Sequence, residues 1–207
     1  MTTGSAVTSR KAQSPRLVAG RPPRTSLPEI ERAAFRLFRE QGFDDTTLEQ
    51  IATEAGISRR TIFRYFPSKN DIPWGAFDDS LDGLRSMLIR WDDSAPIFDA
   101  IAEAIVRFNR IAPVDIGQHR ERMELILNTP ALLAHSALRY EHWRSVIAEF
   151  VARRMGITAD SLVPRTTGHL ALGLALSAYE QWLQNEDADL EELMRDSAQA
   201  IRDIACG

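Results

Sequence analysis

The sequence predicts an all-helical protein of about nine helices, with a three-helix N-terminal domain of the helix-turn-helix kind and a C-terminal helical bundle. From Ser26 onward, apolar residues recur every three or four positions, as on one face of a helix, and no stretch alternates with the period of two that strands show. Capping residues stand at the start of these segments, and glycine, asparagine or proline stands at their ends. At 207 residues, the chain can bury a sizeable core without a disulfide or a metal.

Residues 1–25 precede the first helix and are predicted to form a flexible basic arm. They contain five basic residues, three prolines and no acidic or aromatic residue, a composition that buries too little apolar surface to fold. Two interpretations remain open for this arm. Its arginines insert into a narrow minor groove of DNA, or it is a solubilising tail.

The first helix is predicted to begin after Ser26 and to end at Gly42, because Glu29 stands three residues after Ser26 and completes a capping box. A short second helix is predicted to begin near Thr46, and Glu49 has the same spacing from it. Both helices carry apolar residues on one face only. They therefore predict a small packed domain.

A third helix is predicted over residues 59–66, with Ile62, Phe63 and Phe66 turned inward and Pro67 at its end. A fourth is predicted to run from Ser68 to about Trp91, with Pro73 confined to its first turn. The remaining helices are predicted near residues 95–111, 116–128, 130–155, 160–185 and 187–205.

The corner between the second and third helices has the chemistry of a helix-turn-helix. Gly56 allows the left-handed backbone that turns the chain, and Ile57 fills the angle between the two helices. The third helix then presents outward Arg59, Arg60, Thr61 and Arg64. Arginine pairs bidentately with guanine, and hydroxyls suit phosphate oxygens. This pattern predicts a helix that reads the major groove.

The distribution of charged residues along the chain agrees with a third helix that reads the major groove. Residues 1–70 hold 12 Lys and Arg against 7 Asp and Glu, whereas residues 71–207 hold 13 against 22, although the whole chain has a net charge of -4. A basic unit releases counterions from phosphates when it binds nucleic acid. The N-terminal part is therefore the candidate nucleic-acid module.

Residues 47–69, with Ile-Ala-x-x-Ala-Gly-Ile-Ser at their centre and Thr-x-Phe-x-Tyr-Phe-x-Ser-Lys after it, resemble the DNA-binding signature of the TetR family of transcriptional regulators. The resemblance spans about residues 28–75 and implies that arginines read bases while hydroxyls and Lys69 hold phosphates. The implied DNA-binding residues are Thr46, Thr47, Arg59, Arg60, Thr61, Arg64, Tyr65 and Lys69. For Thr46, helix capping alone is an alternative. Phe63 departs from the tyrosine that many members carry, and Tyr65 takes part of its role.

A finer resemblance concerns the run Asn-Asp-Ile-Pro-Trp-Gly at residues 70–75, which is similar to the TetR-family branch encoded with mycofactocin biosynthesis genes. It implies a repressor in a redox-cofactor system whose inducer is a long-chain acyl-coenzyme A. The domains implied are the arm, a DNA-binding domain over residues 26–72, and a domain for ligand binding and dimerisation over residues 73–207.

The family resemblance also places a ligand cavity among the middle helices. The candidate lining residues are Trp91, Phe98, Ile105, Phe108, Asn109, Arg120, Met123, Leu127, Tyr140 and Trp143. Ordinary core or solvated surface remains the alternative for each, because apolar residues at helical spacing are core by default. The last two long helices are expected to pair with those of a second copy on a palindromic operator, and an intramolecular core is the alternative.

Several classes of function are excluded by what the sequence lacks. Cys206 is the only cysteine, so an internal disulfide and a multi-cysteine zinc site are excluded and a reducing cytoplasm is the expected location. No apolar run reaches the roughly 20 residues that a membrane span needs. His135 and His142 share a helical face but lack a third ligand, so we expect no metal. No catalytic motif or cofactor-binding loop is present, so an enzyme is not expected; a regulator without a ligand, or an activator, remains open.

Overall fold

A computed structural model of the chain describes residues 26–206, and the arm predicted over residues 1–25 lies outside them. Within this described range, all regular secondary structure is helical, which confirms the predicted fold class. The helices are α1 (Leu27–Gln41), α2 (Leu48–Glu54), α3 (Arg59–Tyr65), α4 (Phe77–Ile89), α5 (Ile97–Phe108), α6 (Ile116–Asn128), α7 (Pro130–Met155), α8 (Leu162–Gln184) and α9 (Leu190–Cys206). Two 3-10 segments, Lys69–Trp74 and Pro113–Asp115, precede α4 and α6.

Helices α1 to α3 enclose a small core of their own. Ile30 of α1, Ile51 of α2 and Ile62 of α3 are fully buried against one another's helices. Leu132, from the first turn of α7, is equally buried in the same core. The N-terminal domain therefore packs directly on the bundle that follows it.

The second helix begins one residue later than predicted. Thr47 is its N-cap: its hydroxyl accepts from the Gln50 amide nitrogen at 3.2 Å, and the Gln50 side chain accepts from the Thr47 amide nitrogen at 2.7 Å. The prediction that Thr46 caps the helix with Glu49 is wrong, because the Thr46 hydroxyl donates instead to the Gly42 carbonyl at 2.7 Å.

Phe63 was predicted to face inward, and this is wrong, since it is 42% exposed. Ile62 of α3 and Phe66, the residue that follows the helix, are the buried ones. Phe63 instead lies four residues after Arg59, on the outer face of the same helix.

The predicted fourth helix is interrupted at Gly75. The chain there has a φ of 49°, and a Cβ atom on this residue would lie 2.8 Å from Glu31 Oε1 and 2.9 Å from Arg122 Nη1. The Gly75 backbone therefore lies against the ion pair of Glu31 and Arg122, and its positive φ favours glycine. Ser68 and Asp71 form a capping box, but it begins the short 3-10 segment and not the predicted helix that continues to Trp91.

The larger bundle, α4 to α9, is organised around the two long helices α7 and α8. Its core includes Ile105, Ile147, Ala178 and Trp182, all nearly or completely buried. Gly168 allows close approach of α8 to α7, because a Cβ atom at that position would lie 2.8 Å from the Arg144 carbonyl oxygen. None of the helices in the described residues is long and apolar enough to cross a membrane.

Candidate functional site

The turn between α2 and α3 has the predicted geometry. Gly56 has a φ of 67°, the Ile57 amide donates to the Ala52 carbonyl at 2.9 Å, and the Gly56 amide donates to the Thr53 carbonyl at 3.1 Å. These bonds satisfy the last carbonyls of α2 as the chain turns. Ser58 then caps α3, because its hydroxyl accepts from the Thr61 amide at 3.1 Å. These hydrogen bonds fix α3 across α2.

Three arginines lie on the exposed side of α3, as predicted. The Arg59 guanidinium lies 5.4 Å from the centre of the Phe63 ring and 2.9 Å from Glu49 Oε1. Arg64 lies over Tyr65 in a similar way, 5.2 Å from its ring centre. Within the described part of the chain, Arg60 forms no ion pair. This exposed surface suits a phosphate-rich or base-edge partner.

The three threonines of the predicted DNA surface occupy different environments. Thr47 is exposed at the N-terminus of α2, where unpaired amides favour an anion. Thr61 is half-buried, and its hydroxyl shares a hydrogen bond of 2.8 Å with the Ser58 hydroxyl. Thr46 is only 1% exposed and bonded to Gly42. The phosphate contact predicted for Thr46 therefore disagrees with its position, and the helix-capping alternative is also wrong, because the hydroxyl is bonded within the loop between α1 and α2.

Lys69 also has a different role from the one predicted. Its ammonium group donates to the carbonyl oxygens of Phe43, Asp44 and Thr46 at 2.6, 2.8 and 2.9 Å, and it lies 4.6 Å from the centre of the Phe43 ring. Three donors are all that a lysine has. The side chain is therefore occupied in holding the loop between α1 and α2, and not a phosphate.

Replacing Arg60 with alanine is expected to cost about 1–3 kcal/mol of operator affinity at one or two base pairs, the value of a bidentate arginine–guanine contact. Fluorescence anisotropy with an operator selected from random sequences, and with each single base-pair variant, measures this. The control is Arg107→Ala, since Arg107 is an exposed arginine on α5 that pairs with Glu103. Equal loss on every DNA sequence would make Arg60 a phosphate contact and contradict its assignment to bases.

A cavity of about 460 Å³ lies in the larger bundle, a size typical of small-molecule sites. Its wall comes from the Lys69–Trp74 segment, α4, the end of α5 and the segment after it, α6, α7 and α8, together with Glu31 of α1. The aromatic and apolar lining residues include Trp74, Phe77, Phe108, Ile111, Met123, Ile126, Tyr140, Trp143, Leu172 and Leu176. This cavity is thus mostly apolar.

One wall of the cavity carries a closed hydrogen-bonded network. The Tyr179 hydroxyl donates to Asn109 Oδ1 at 3.0 Å and bonds His119 Nε2 at 2.8 Å. Burial, aided by the nearby Arg122 guanidinium, lowers the pKa of His119 to about 4, and burial raises the pKa of Tyr179. All three groups are therefore uncharged at neutral pH.

Half of the predicted lining residues lie in the cavity wall, namely Phe108, Asn109, Met123, Tyr140 and Trp143. The other half do not, namely Trp91, Phe98, Ile105, Arg120 and Leu127. Ile105 and Leu127 belong to the core.

The remaining three residues, Trp91, Phe98 and Arg120, each take part in a contact between an arginine and an aromatic ring. Arg107 lies over the Trp91 ring and Arg202 over the Phe98 ring. Arg120 lies 4.0 Å from the Trp182 ring centre and donates to the Trp182 carbonyl. Helical periodicity places a residue on an inner face, but it does not distinguish core from cavity.

The predicted set omitted Trp74, Phe77 and Tyr179, which line the cavity. Trp74 belongs to the run at residues 70–75 that carries the finer resemblance. The unusual sequence of that run could therefore have indicated Trp74 as a site residue. Tyr179 was predicted to lie in the dimerising helix, and only the packing of α8 on α5 and α6 brings it to the cavity.

The cavity wall is bonded directly to the N-terminal domain. Arg122 of α6, a lining residue, donates to Glu31 of α1 at 2.5 Å and to the Pro73 carbonyl at 2.6 Å. Both charged side chains are largely buried, at 18% and 12% exposure. Outside the cavity, Arg39 of α1 and Glu121 of α6 form a second, more exposed bridge at 2.9 Å. The same helix, α6, therefore contacts both the cavity and the N-terminal domain.

A helix-turn-helix domain packed on a larger helical bundle is the architecture of a DNA-binding transcriptional regulator. Residues 30–72 match the family described as bacterial regulatory proteins, tetR family, and residues 95–204 match the MftR C-terminal domain family. The chain belongs to the TetR family of transcriptional regulators.

Its curated relatives are transcriptional regulators. The chain is 43% identical to the mycofactocin biosynthesis transcriptional regulator MftR of Mycobacterium tuberculosis, over 84% of this chain and 88% of the relative. It is 31% identical to the regulator TcmR of Streptomyces glaucescens, over 82% and 78% of the two chains.

Solved structures show the same fold at lower identity. A TetR-family regulator from Syntrophomonas wolfei superposes with a TM-score of 0.63 at 14% identity, covering 87% of this chain and 95% of the other. Thermus thermophilus FadR, a repressor solved in complex with lauroyl-coenzyme A, superposes with a TM-score of 0.53 at 23% identity, covering 86% and 93%.

Proposed function

We propose that this regulator is a homodimeric repressor that binds a palindromic operator and is released from it by a long-chain acyl-coenzyme A. The observation that carries the proposal is the bonding of a cavity-lining arginine, Arg122, to Glu31 of the DNA-reading domain. A ligand that displaces α6 would act on α1 through this pair. Release then requires only that the ligand prefers the arrangement that does not bind DNA.

The cavity chemistry supports an acyl chain as the buried part of the ligand. Most lining side chains are apolar or aromatic, and the charged ones, such as Arg110 and Arg122, are already paired with carboxylates. A coenzyme A head group with its phosphates would remain outside the cavity, at its solvent-exposed opening. The lauroyl-coenzyme A complex of a regulator with the same fold supports this choice.

The regulated genes are proposed from the relative. Because the chain resembles a mycofactocin biosynthesis regulator over most of its length, we assign it to genes of that system, and its site of action to the cytoplasm. The DNA contacts proposed are Thr47, Arg59, Arg60, Thr61, Arg64 and Tyr65, carried by α2 and α3 over residues 26–72.

The dimer is proposed to form through α8 and α9. Along α8, one exposed stripe is made of Val163, Leu170, Gly173 and Ser177, with Val163 49% and Leu170 40% exposed. On α9, Ile204 is 79% exposed. Burying these apolar groups against a second copy removes them from water and sets the spacing of two reading helices.

Titration of the complex of protein and fluorescent operator with palmitoyl-coenzyme A tests the proposal. Release of the operator at concentrations that leave a complex of an unrelated repressor intact is the expected result. Operator binding that palmitoyl-coenzyme A leaves unchanged would overturn the ligand while leaving the family assignment in place.

Replacing Glu31 with glutamine is expected to weaken the link between the two sites. The amide keeps a hydrogen bond to Arg122 but removes the charge, so operator affinity and ligand affinity, measured separately, should each stay within about threefold. The ratio of operator Kd with and without saturating palmitoyl-coenzyme A should fall about tenfold, within the usual range of allosteric coupling of 1–3 kcal/mol.

Glu121→Gln is the matched control for this experiment, because it weakens the other bridge between the same helices outside the cavity. A thermal melt of each variant checks that it is folded. If Glu31→Gln and Glu121→Gln reduce the ratio equally, the bridge at the cavity has no special role in release.

A further inference from the structure

His119 of α6 has one ring nitrogen that is bonded and one that is not. The ring is half-buried and lies in the cavity wall. Nε2 bonds the Tyr179 hydroxyl at 2.8 Å, whereas Nδ1 has no hydrogen-bond partner among the described residues. Nδ1 is not sealed from solvent, because the unpaired side-chain atoms that are sealed within residues 26–206 belong to other residues. This nitrogen is therefore accessible and free of a protein partner in that range.

The hydrogen bonds behind His119 all run in one direction. Asn109 Nδ2 donates to the Ile105 carbonyl at 2.8 Å, which leaves Asn109 Oδ1 to accept from the Tyr179 hydroxyl at 3.0 Å. A tyrosine hydroxyl has a single hydrogen, so its oxygen accepts from His119 Nε2–H. Burial, aided by the Arg122 guanidinium, lowers the pKa of His119 to about 4, so the ring is neutral at pH 7. Because a neutral imidazole protonated at Nε2 carries a lone pair on Nδ1, this nitrogen is fixed as an acceptor.

His119 lies between the apolar part of the cavity and its solvent side. Three exposed residues just before it, Ala112, Asp115 and Gln118, also line the cavity. Met123, one turn further along α6, belongs to the apolar wall. In the proposed ligand, the part between the acyl chain and the phosphates of the head group is the pantetheine arm, which carries amide N–H groups. A donor on that arm therefore matches the acceptor in both chemistry and position.

We propose that His119 Nδ1 accepts a hydrogen bond from an uncharged N–H or O–H of the ligand, and that in an acyl-coenzyme A this donor is the pantetheine amide nearest the sulfur. An ester oxygen at the same place would set one lone pair against another. This inference rests on the proposed acyl-coenzyme A function and adds how the ligand is recognised beyond its acyl chain. Tyr179 and Asn109 are positioning residues, because they hold the ring in the tautomer that accepts.

Two short ligands that differ at this one atom test the proposal. S-dodecanoyl-N-acetylcysteamine contains the thioester and the first amide of the arm, and S-dodecanoyl-O-acetylmercaptoethanol has an ester oxygen in place of the amide N–H. Isothermal titration of the intact wild-type protein should give a Kd about tenfold lower for the amide, because the ester leaves the acceptor without a partner. The ester ligand with a 3-hydroxyl on its acyl chain tests the other source of a donor, and a tenfold gain from that hydroxyl would place the donor on the chain.

His119→Gln removes the acceptor and keeps the donor to Tyr179. The glutamine amide nitrogen reaches the position of the histidine Nε2, whereas no glutamine atom takes the position of Nδ1. The ratio of the ester and amide Kd values should fall to within about threefold of unity, and palmitoyl-coenzyme A should bind about tenfold more weakly. His142→Gln is the matched control, since His142 is an exposed histidine of α7 outside the cavity wall, and it should keep the ratio. A thermal melt checks that both variants are folded.

The tautomer is measured without any ligand. Nitrogen-15 NMR of the histidine rings at pH 7, with the His119 signals assigned by their loss in His119→Gln, should show Nε2 protonated and Nδ1 unprotonated. A proton on Nδ1 would overturn the inference whatever the ligands do.

The binding outcomes separate this inference from the proposed function. Equal affinities of the amide and the ester, with no gain from the hydroxyl, would overturn the donor site while release of the operator by palmitoyl-coenzyme A keeps the acyl-chain ligand. A preference for the amide that survives in His119→Gln would also overturn the site. If palmitoyl-coenzyme A alone binds, its Kd decides: equal values in the wild type and His119→Gln overturn the site, and a tenfold difference supports it. If no ligand binds, the proposed function fails, and the donor site fails with it.

Discussion

Palmitoyl-coenzyme A is expected to release the operator at far lower concentrations than acetyl-coenzyme A. The palmitoyl chain has 14 more carbons, and at ~0.8 kcal/mol for each buried methylene their transfer supplies on the order of 10 kcal/mol, of which ordering of the chain takes back a large part. The wall of Phe77, Phe108, Met123 and Trp143 offers the apolar surface that this transfer needs. The acyl chain should therefore dominate affinity.

A series of acyl-coenzymes A from two to sixteen carbons, titrated into the operator complex, measures this dependence. Affinity should rise with length, and free coenzyme A should be nearly inactive. Ala175→Phe, which fills part of the cavity, should move the optimum to shorter chains. Ala137→Phe, at an exposed position of α7, is its control and should leave the series unchanged. Equal activity of acetyl- and palmitoyl-coenzyme A would refute the acyl-chain hypothesis.

Replacing Gly173 with tryptophan is expected to prevent formation of the proposed dimer. A Cβ atom built on Gly173 meets no atom within 4 Å, and the residue is exposed, so a larger side chain can extend away from the chain's own core. In a two-fold interface the new side chain appears twice. Overpacking of 1–3 kcal/mol for each copy then amounts to about 2–6 kcal/mol, roughly 30-fold to ten-thousandfold in the dimer Kd.

Sedimentation velocity over a range of concentrations measures the change. Gly83→Trp is the matched control, since Gly83 is an exposed helical glycine of α4 that also has no atom within 4 Å of a built Cβ. The Gly173 variant should also lose operator affinity, because two half-sites are no longer read together. A dimer that persists in Gly173→Trp would place the interface elsewhere.

Much of the helical framework is determined by local sequence. The spans predicted for 116–128 and 130–155 coincide with α6 and α7, because Asn128 and Pro130 set a boundary that no distant contact needs to enforce. Ser26 caps α1 with Glu29, and Gly56 turns the chain into α3, for equally local reasons. The exposed arginines of α3 follow from helical periodicity once that corner is known. The DNA-reading helix was therefore predictable.

Tertiary structure alone decided the details that depend on distant residues. Gly75 interrupts the predicted fourth helix with a positive φ. Only glycine fits there, because Glu31 and Arg122, remote from it and from each other in sequence, occupy the space of a Cβ atom. Lys69 serves carbonyls of the loop between α1 and α2, and Thr46 is buried by the same loop.

The cavity shows most clearly that local sequence does not determine how helices pack on one another. Trp91 and Trp143 were both predicted to lie on inner helix faces. Only Trp143, in α7, lines the cavity, whereas Trp91 lies after the end of α4 with Arg107 over its ring. Local sequence determines which face of a helix is apolar, because that depends on residues three and four apart. Whether an apolar face meets another helix or an open space depends on how several helices pack, and this only the tertiary structure decides.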